Sequence, residues 1–373
     1  MTSDDMPHRA LLPAGLADLL PPDAAREAAL VEAMLAVFAA HGYERVKPPL
    51  LEFEDSLLAG SGAAVAEQTF RLMDPVSQRM MGLRADTTPQ VARIAATRLA
   101  NVARPLRLSY AGQVLRVRGT PIASERQMPQ AGIELIGAAT AMADAEVALL
   151  GVEALAAVGV TDVALDVLMP TMTPALLDAA RVVPPLRQKL ARALDRKDAA
   201  DVAALAAEAG APALTALLAA AGPADGALAA LNAADLPPAA RAIADNAAAV
   251  IAAIRARAPG LRITLDPVEF RGFTYHTGVA FTLYGPGGEL ARGGRYLSGE
   301  EPATGLTLYP DAVLRMAAPA APAPRLFLAP GQDGAAHRAA GFVTVAALSA
   351  ADTPRSLRCT HILHGQTPAP IED

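Results

Sequence analysis

A single cysteine, Cys359, leaves this 373-residue chain without an internal disulfide framework and fits a reducing compartment. Tryptophan is absent and aromatic residues make up only 4% of the sequence. The core must therefore be built from aliphatic side chains, many of them alanine. No apolar run approaches the roughly 18 residues that a membrane-spanning helix needs. The N-terminal stretch MTSDDMPHRALLPAG lacks the basic segment followed by an apolar one that marks a secretory signal. Together these absences point to a cytoplasmic protein. Six histidines are dispersed along the chain; His361 and His364 lie close together, but no further ligand set accompanies them, so no metal site is expected. Basic residues are not in excess: 32 Lys and Arg against 38 Asp and Glu give a net charge of −6. That balance excludes the broad electrostatic footprint of a polyanion binder.

What remains is long enough for two or three domains with a sizeable core. After an irregular Pro- and Leu-rich start, Pro21-Pro22-Asp23 signals a helix with Asp23 as candidate N-cap, running to about Ala40. Tyr43 to Phe53 has strand character, but Pro48-Pro49 cannot donate to a ladder, so the strand lies at an edge or breaks there. Residues 65–85 form a hairpin-like pattern around Asp74-Pro75. Asp86-Thr87-Thr88-Pro89 then opens a helix to about Leu99, and capping is the simplest role for Asp86. A helix is expected over Asp144 to Val158 and a strand over Thr161 to Leu168. From about Pro170 to Pro259 alanine dominates. Breaks at Pro184-Pro185, Gly210, Gly222-Pro223 and Pro237-Pro238 predict an all-helical insertion of about five helices. Strand patterns return at Leu261 to Phe270 and Val279 to Leu283. Arg292 and Arg295 bracket two glycines, which suits either a close backbone approach to an anion or an ordinary tight turn. A Pro/Ala linker follows, and the last fifty residues read as a small α/β unit.

The most informative stretch runs from Arg104 to Gly137. Two apolar runs, Leu106 to Val117 and Met128 to Ile136, flank a turn-rich segment, the pattern of a hairpin with a long loop. Its strands carry Arg116, Gln130 and Glu134, and buried polar groups need partners. Gln130, Gly132, Glu134 and Ile136 are two apart and share one strand face. That face suits the floor of a pocket or a solvent-facing strand, and spacing does not choose between them.

Taken in order, these segments resemble the class II aminoacyl-tRNA synthetases, in the histidyl-tRNA synthetase version, over roughly residues 8–315. The hairpin is similar to motif 2 of that family. Asp23 to Phe53 is similar to the motif 1 helix and strand, LRADTTPQVAR to the amino-acid-binding loop, RGFTYHTG to the second histidine signature, and ARGGRY to the entry of motif 3. The resemblance implies an α+β fold, a class II synthetase-like antiparallel sheet flanked by helices, with an all-helical insertion and a small C-terminal α/β unit. The expected organisation is core over 1–169, insertion over 170–260, core again over 261–316, linker over 317–325 and the small unit over 326–373. It also implies a histidine pocket of Asp86, Thr87, Thr88, Arg116, Gln130, Glu134, Arg271, Tyr275 and His276. Asp86 would hold the substrate ammonium through a charge-assisted bond, Arg271 would neutralise a carboxylate, and Glu134 with Tyr275 and His276 would close on the imidazole. Asp86 is shorter than the family's usual Glu.

The nucleotide motifs depart from the family. Arg118 stands where motif 2 has a carboxylate, and the return reads Ser124-Glu125-Arg126-Gln127, which loses the acid after the arginine. Ala312 stands where motif 3 has the arginine that clamps the triphosphate; Arg315 lies three residues on, and Pro310 argues against an undistorted helix there. Losing a charged phosphate partner removes several kcal/mol of transition-state stabilisation. The chain also ends about fifty residues after the linker, short of an anticodon-binding domain. A histidine pocket without these features resembles the ATP phosphoribosyltransferase regulatory subunits. That resemblance implies a non-catalytic chain with no cofactor. It would form a homodimeric core within a hetero-oligomer and work with the short-form catalytic subunit in the first step of histidine biosynthesis. It would sense L-histidine and would not bind tRNA. The alternative is a histidyl-tRNA synthetase or a free histidine-activating enzyme.

Overall fold

The structure, a computed structural model, describes residues 11–119, 124–269, 275–318 and 321–371. The chain divides into two compact units, Met1–Ala317 and Ala318–Asp373. In the first, α1 (Asp23–Ala40) leads into the short strands β1 (Glu44–Arg45) and β2 (Leu51–Phe53). Asp23 is the first helical residue and pairs with Arg26 rather than capping; Pro22 holds the cap position. The Pro48-Pro49 break separates two sheets. β1 joins the large sheet, and β2 joins β3 (Arg71–Met73) and β4 (Met80–Leu83) in a small three-stranded one, with α2 (Glu54–Leu57) and a 3₁₀ segment (Gly60–Gln68) between β2 and β3. Arg84 fixes this junction. Its buried guanidinium donates to the Gln113 and Pro48 carbonyls, while Gln90 donates to the Pro49 carbonyl.

α3 (Thr88–Thr97) precedes the expected hairpin, whose arms are β5 (Leu106–Leu115) and β6 (Gln127–Ile136), antiparallel over ten residues. α4 (Ala141–Ala157) begins three residues before Asp144 because the Thr140 hydroxyl accepts from Ala143 N–H, a proper N-cap. It is followed by β7 (Ala164–Leu168). The alanine-rich stretch forms α5 (Met172–Ala179), α6 (Pro184–Asp195), α7 (Ala199–Glu208), α8 (Ala213–Ala220), α9 (Ala224–Ala233) and α10 (Pro238–Arg257), with a two-residue strand β8 (Gly222–Pro223). That is one helix more than the glycine and proline breaks predict. The extra break falls at Lys197-Asp198, where Lys197 takes a left-handed turn (φ 53°) and Asp198 caps α7. β9 (Arg262–Asp266), β10 (His276–Gly285), β11 (Gly288–Ser298), β12 (Glu301–Leu308) and α11 (Pro310–Met316) complete the unit. Pro310 does not distort α11. It occupies the first turn, where its missing N–H has no intrahelical partner to lose.

The large sheet has the order β1-β5-β6-β12-β11-β10-β7-β9-β8. The antiparallel expectation holds through its centre, but the sheet is mixed: β1 pairs with β5, and β7 with β9, in parallel. Parallel neighbours need a long crossover, and the six helices between β7 and β9 lie on that connection. One face of β6 sends Ala131, Ile133 and Leu135 into the main core with Met34 and Phe38 of α1 and Leu150 and Leu155 of α4. The other carries Gln130, Glu134 and Ile136 toward α3, where Val91 and Ala95 pack with Leu108, Tyr110, Ile136 and Tyr296. The second unit holds β13 (Arg325–Leu328), α12 (Ala335–Ala339), β14 (Val343–Ala346), β15 (His361–His364) and β16 (Thr367–Pro370) in the order β14-β13-β15-β16.

Candidate functional site

The polar face of β6 meets the start of α3 on one side of the large sheet. Gln130 and Glu134 are each 1% exposed, so the polar face of β6 is not a solvent face. Every buried polar atom there needs a partner, and the start of α3 supplies several. Gln130 Oε1 accepts from Thr87 N–H (3.1 Å) and from Thr87 Oγ1 (2.9 Å). Asp86 Oδ1 accepts from Thr88 N–H (3.2 Å), satisfying one of the orphan donors of the helix terminus. Thr88 Oγ1 donates to Glu134 Oε1 (2.8 Å), and Tyr296 OH donates to Glu134 Oε2 (2.8 Å). A second hydroxyl chain runs behind them. Tyr110 OH lies 3.3 Å from Thr88 Oγ1 and 2.7 Å from Thr307 Oγ1.

Glu134 is held at both carboxyl oxygens inside the sheet. Burial pushes its pKa up to about 8; the hydrogen bonds from Thr88 and Tyr296 pull it down, and the Asp86 charge adds to the rise. Near neutral pH the carboxyl is therefore largely protonated and can donate as well as accept. Room for it comes from glycine: Gly305, its direct partner on β12, would place a Cβ 1.9 Å from Glu134 Oε2.

Tyr275 and His276 of the second histidine signature lie beside Tyr296. The rings of Tyr275 and His276 lie 4.1 Å apart at 33°, and Tyr275 meets Tyr296 edge-on at 6.2 Å. His276 is 6% exposed. Tyr275 itself is 36% exposed; desolvation, and then the charges of Asp86 and Glu134, raise its pKa. Arg116 Nε donates to the Ala85 carbonyl (3.3 Å), one residue from Asp86. Eight of the nine expected pocket residues thus gather around the α3 terminus and the β6 face. The ninth, Arg271, lies outside the described residues.

Sequence reasoning missed Tyr296, Tyr110 and Thr307. Tyr296 carried a usable signal. Arg292, Gly294 and Tyr296 alternate along β11 and so share a face, while Arg295 points the other way. The same alternation corrects the idea that Arg292 and Arg295 form one anion site. Arg295 pairs with buried Asp144 of α4 (2.5 Å), whereas Arg292 pairs with Glu289 (2.7 Å).

The positions that depart from the synthetase pattern are engaged differently. Arg118 is exposed, and Ala312 packs against the main core. Arg315 pairs with Asp311 at 3.3 Å on the solvent side of α11 and does not replace the missing arginine. Arg126 donates to the Arg116 and Ala14 carbonyls and lies 5.0 Å from the Phe70 ring centre. Among the described residues no group of three or more His, Cys, Asp or Glu side chains could hold a metal ion, and no helix is long and apolar enough to cross a membrane.

The histidyl-tRNA synthetase family matches residues 15–313. A regulatory subunit/histidyl-tRNA synthetase from Bacillus halodurans superposes with a TM-score of 0.80 at 23% identity, covering 95% of this chain and 96% of that one. A chain of the ATP phosphoribosyl transferase (HisG:HisZ) complex of Thermotoga maritima gives 0.61 at 17%, covering 76% and 97%. At these identities the structures show the fold alone: that of a class II aminoacyl-tRNA synthetase. The ATP phosphoribosyltransferase regulatory subunit of Paramagnetospirillum magneticum is 56% identical over 354 residues, 93% of each chain. That of Rhodospirillum centenum is 52% identical over 386 aligned positions, 100% of each. The chain belongs to the ATP phosphoribosyltransferase regulatory subunit family. As a member it is the regulatory component of an enzyme complex in histidine biosynthesis, not the catalytic chain.

Proposed function

We propose that this regulatory subunit binds L-histidine at Glu134 and passes feedback inhibition to the short-form catalytic subunit of ATP phosphoribosyltransferase. The observation that carries the reading is the buried Glu134 carboxyl, fixed by Thr88 and Tyr296 beside the Tyr275–His276 pair. A purely apolar pocket cannot satisfy an imidazole N–H, whereas Glu134 can. In this reading Asp86 takes the ammonium, Thr87, Thr88 and Gln130 set the adjoining hydrogen bonds, and Arg116 and Arg271 are the cations for the carboxylate. Inhibition then requires that histidine bind the two states of the complex with different affinity. A homodimeric core, a hetero-oligomer with the catalytic subunit, no tRNA ligand and a cytoplasmic location belong to the same reading.

The test is titration calorimetry of histidine into the wild-type chain, Glu134→Ala and Glu208→Ala. Glu208 lies at the end of α7, in the helical stretch. Glu134→Ala weakens binding at least about tenfold, in line with loss of a buried hydrogen-bonding partner, and Glu208→Ala leaves it unchanged. Equal affinities in the two variants count against the site. Co-expression with the short catalytic subunit yields a hetero-oligomer whose phosphoribosyl transfer is histidine-sensitive; two chains that do not associate end the proposal.

A further inference from the structure

The helical stretch grips the turn at the end of β9. At the end of β9, Asp266 Oδ1 accepts from Val268 N–H and Glu269 N–H, both at 3.0 Å, which folds residues 266–269 into a tight turn. Two parts of the helical stretch hold that turn. Thr173, in the first turn of α5, donates to the Val268 carbonyl at 3.3 Å, and Val268 is buried in the main core. Lys197, at the corner between α6 and α7, places its ammonium 2.7 Å from Asp266 Oδ2 and 3.2 Å from Glu269 Oε2. Tyr275 and His276 follow Glu269 by six and seven residues.

The corner itself is rigid. Lys197 N–H donates to the Leu194 carbonyl and Asp198 N–H to the Ala193 carbonyl, closing α6, while the Asp198 carboxylate caps α7 through Asp201 N–H. Lys197 has φ 53°, the left-handed region that a non-glycine residue rarely adopts. Burial alone pulls the Lys197 pKa down, but its bonds to Asp266 and Glu269 outweigh that and raise it. The ammonium also lowers the carboxyl pKa of Asp166, which is itself raised by burial and by Asp266 and Glu269. One cation therefore offsets three carboxylates at this junction.

We infer that Lys197 is a positioning residue for the pocket: by bridging Asp266 and Glu269 it couples the helical stretch to the end of β9, where Asp266 pairs with Leu168 of β7 and Leu168 with Ala280 of β10, the strand that begins at His276. The inference rests on the histidine reading of the pocket. A shift of the α6–α7 corner, such as a docked partner could impose, is then transmitted to the aromatic pair without any contact to the ligand.

The experiment compares the full-length wild-type chain with Lys197→Met, Lys197→Arg and, as control, Arg187→Met, which removes an exposed ion pair with Asp178 in the same helical stretch. Histidine affinity is read by calorimetry and amide hydrogen exchange over 275–285 without ligand. Lys197→Met weakens histidine at least about fivefold and speeds exchange over 275–285; Lys197→Arg restores both and Arg187→Met changes neither. Unchanged affinity and exchange in Lys197→Met overturn the inference. If the wild type binds no histidine, the pocket reading fails, and exchange alone decides the coupling: faster in Lys197→Met supports it, unchanged refutes it. Should Lys197→Met not fold, Glu269→Gln removes one arm of the bridge and is read by the same two criteria.

Discussion

Gly305 stands directly opposite Glu134 on neighbouring strands, and no methyl group fits between them. A Cβ on Gly305 would lie 1.9 Å from Glu134 Oε2 and 2.5 Å from its Cδ. The carboxyl is held by hydroxyls on both sides and cannot simply swing away. Gly305→Ala is therefore expected to destabilise the chain by about 1–3 kcal/mol through overpacking and to abolish histidine binding. Gly226→Ala, on α9 with open space around its Cα, should instead stabilise by about 0.5–1 kcal/mol. Urea unfolding of both variants checks the contrast, and a loss of stability in both would show that the Glu134 contact is not the cause.

Glu134 also gives stability a definite pH dependence. Its carboxyl has an ordinary pKa of 4.5 and a folded value of about 8. Between those values the folded chain holds one more proton than the unfolded chain, so this group's contribution to stability falls as pH rises through the window and levels off above it. The full difference is up to about 5 kcal/mol. Glu134→Gln keeps the size of the side chain without the titration. The stability difference between the variant and the wild type should move in the variant's favour from pH 5 to pH 9. Denaturation curves that shift in parallel across that range would remove Glu134 as the titrating group.

The pair Asp144–Arg295 bolts α4 to the sheet. Asp144 is fully buried, accepts from Arg295 Nη2 at 2.5 Å and Nε at 3.2 Å, and takes a further bond from Thr304 Oγ1. Burial raises its pKa more than these partners lower it. Removing the carboxylate strands a poorly exposed guanidinium, which typically costs about 3–5 kcal/mol. Asp144→Ala should lose that much in chemical denaturation, while Asp162→Ala, an exposed partner of Arg262, should change stability by less than about 1 kcal/mol.

The altered nucleotide side predicts an absence of amino-acid activation. Arg118 is exposed, Ala312 packs against the core and Arg315 is paired with Asp311. The purified chain should show no histidine-dependent exchange between ATP and pyrophosphate. Exchange well above background would return the chain to the activating enzymes.

The order of elements, the hairpin of β5 and β6, the start of α3 and the polar face of β6 were all legible along the chain. Each depends on local rules: periodicity, proline at a first helical turn and the alternation of side chains on a strand. Alternation established that Gln130 and Glu134 share a face but not what covers it. That depended on α3 and on Tyr296, whose hydroxyl reaches Glu134 across 162 residues of sequence. The parallel pairings were likewise settled by which strands became neighbours, and the partner of Arg295, Asp144, came from the distant helix α4. The break at Lys197 escaped notice because neither glycine nor proline marks it; an αL lysine and a capping aspartate make the corner. Sequence by itself determined which side chains could act together, because spacing along a helix or strand fixes direction. Tertiary structure decided which of them do, because burial and hydrogen-bond partners come from segments that are distant in the chain.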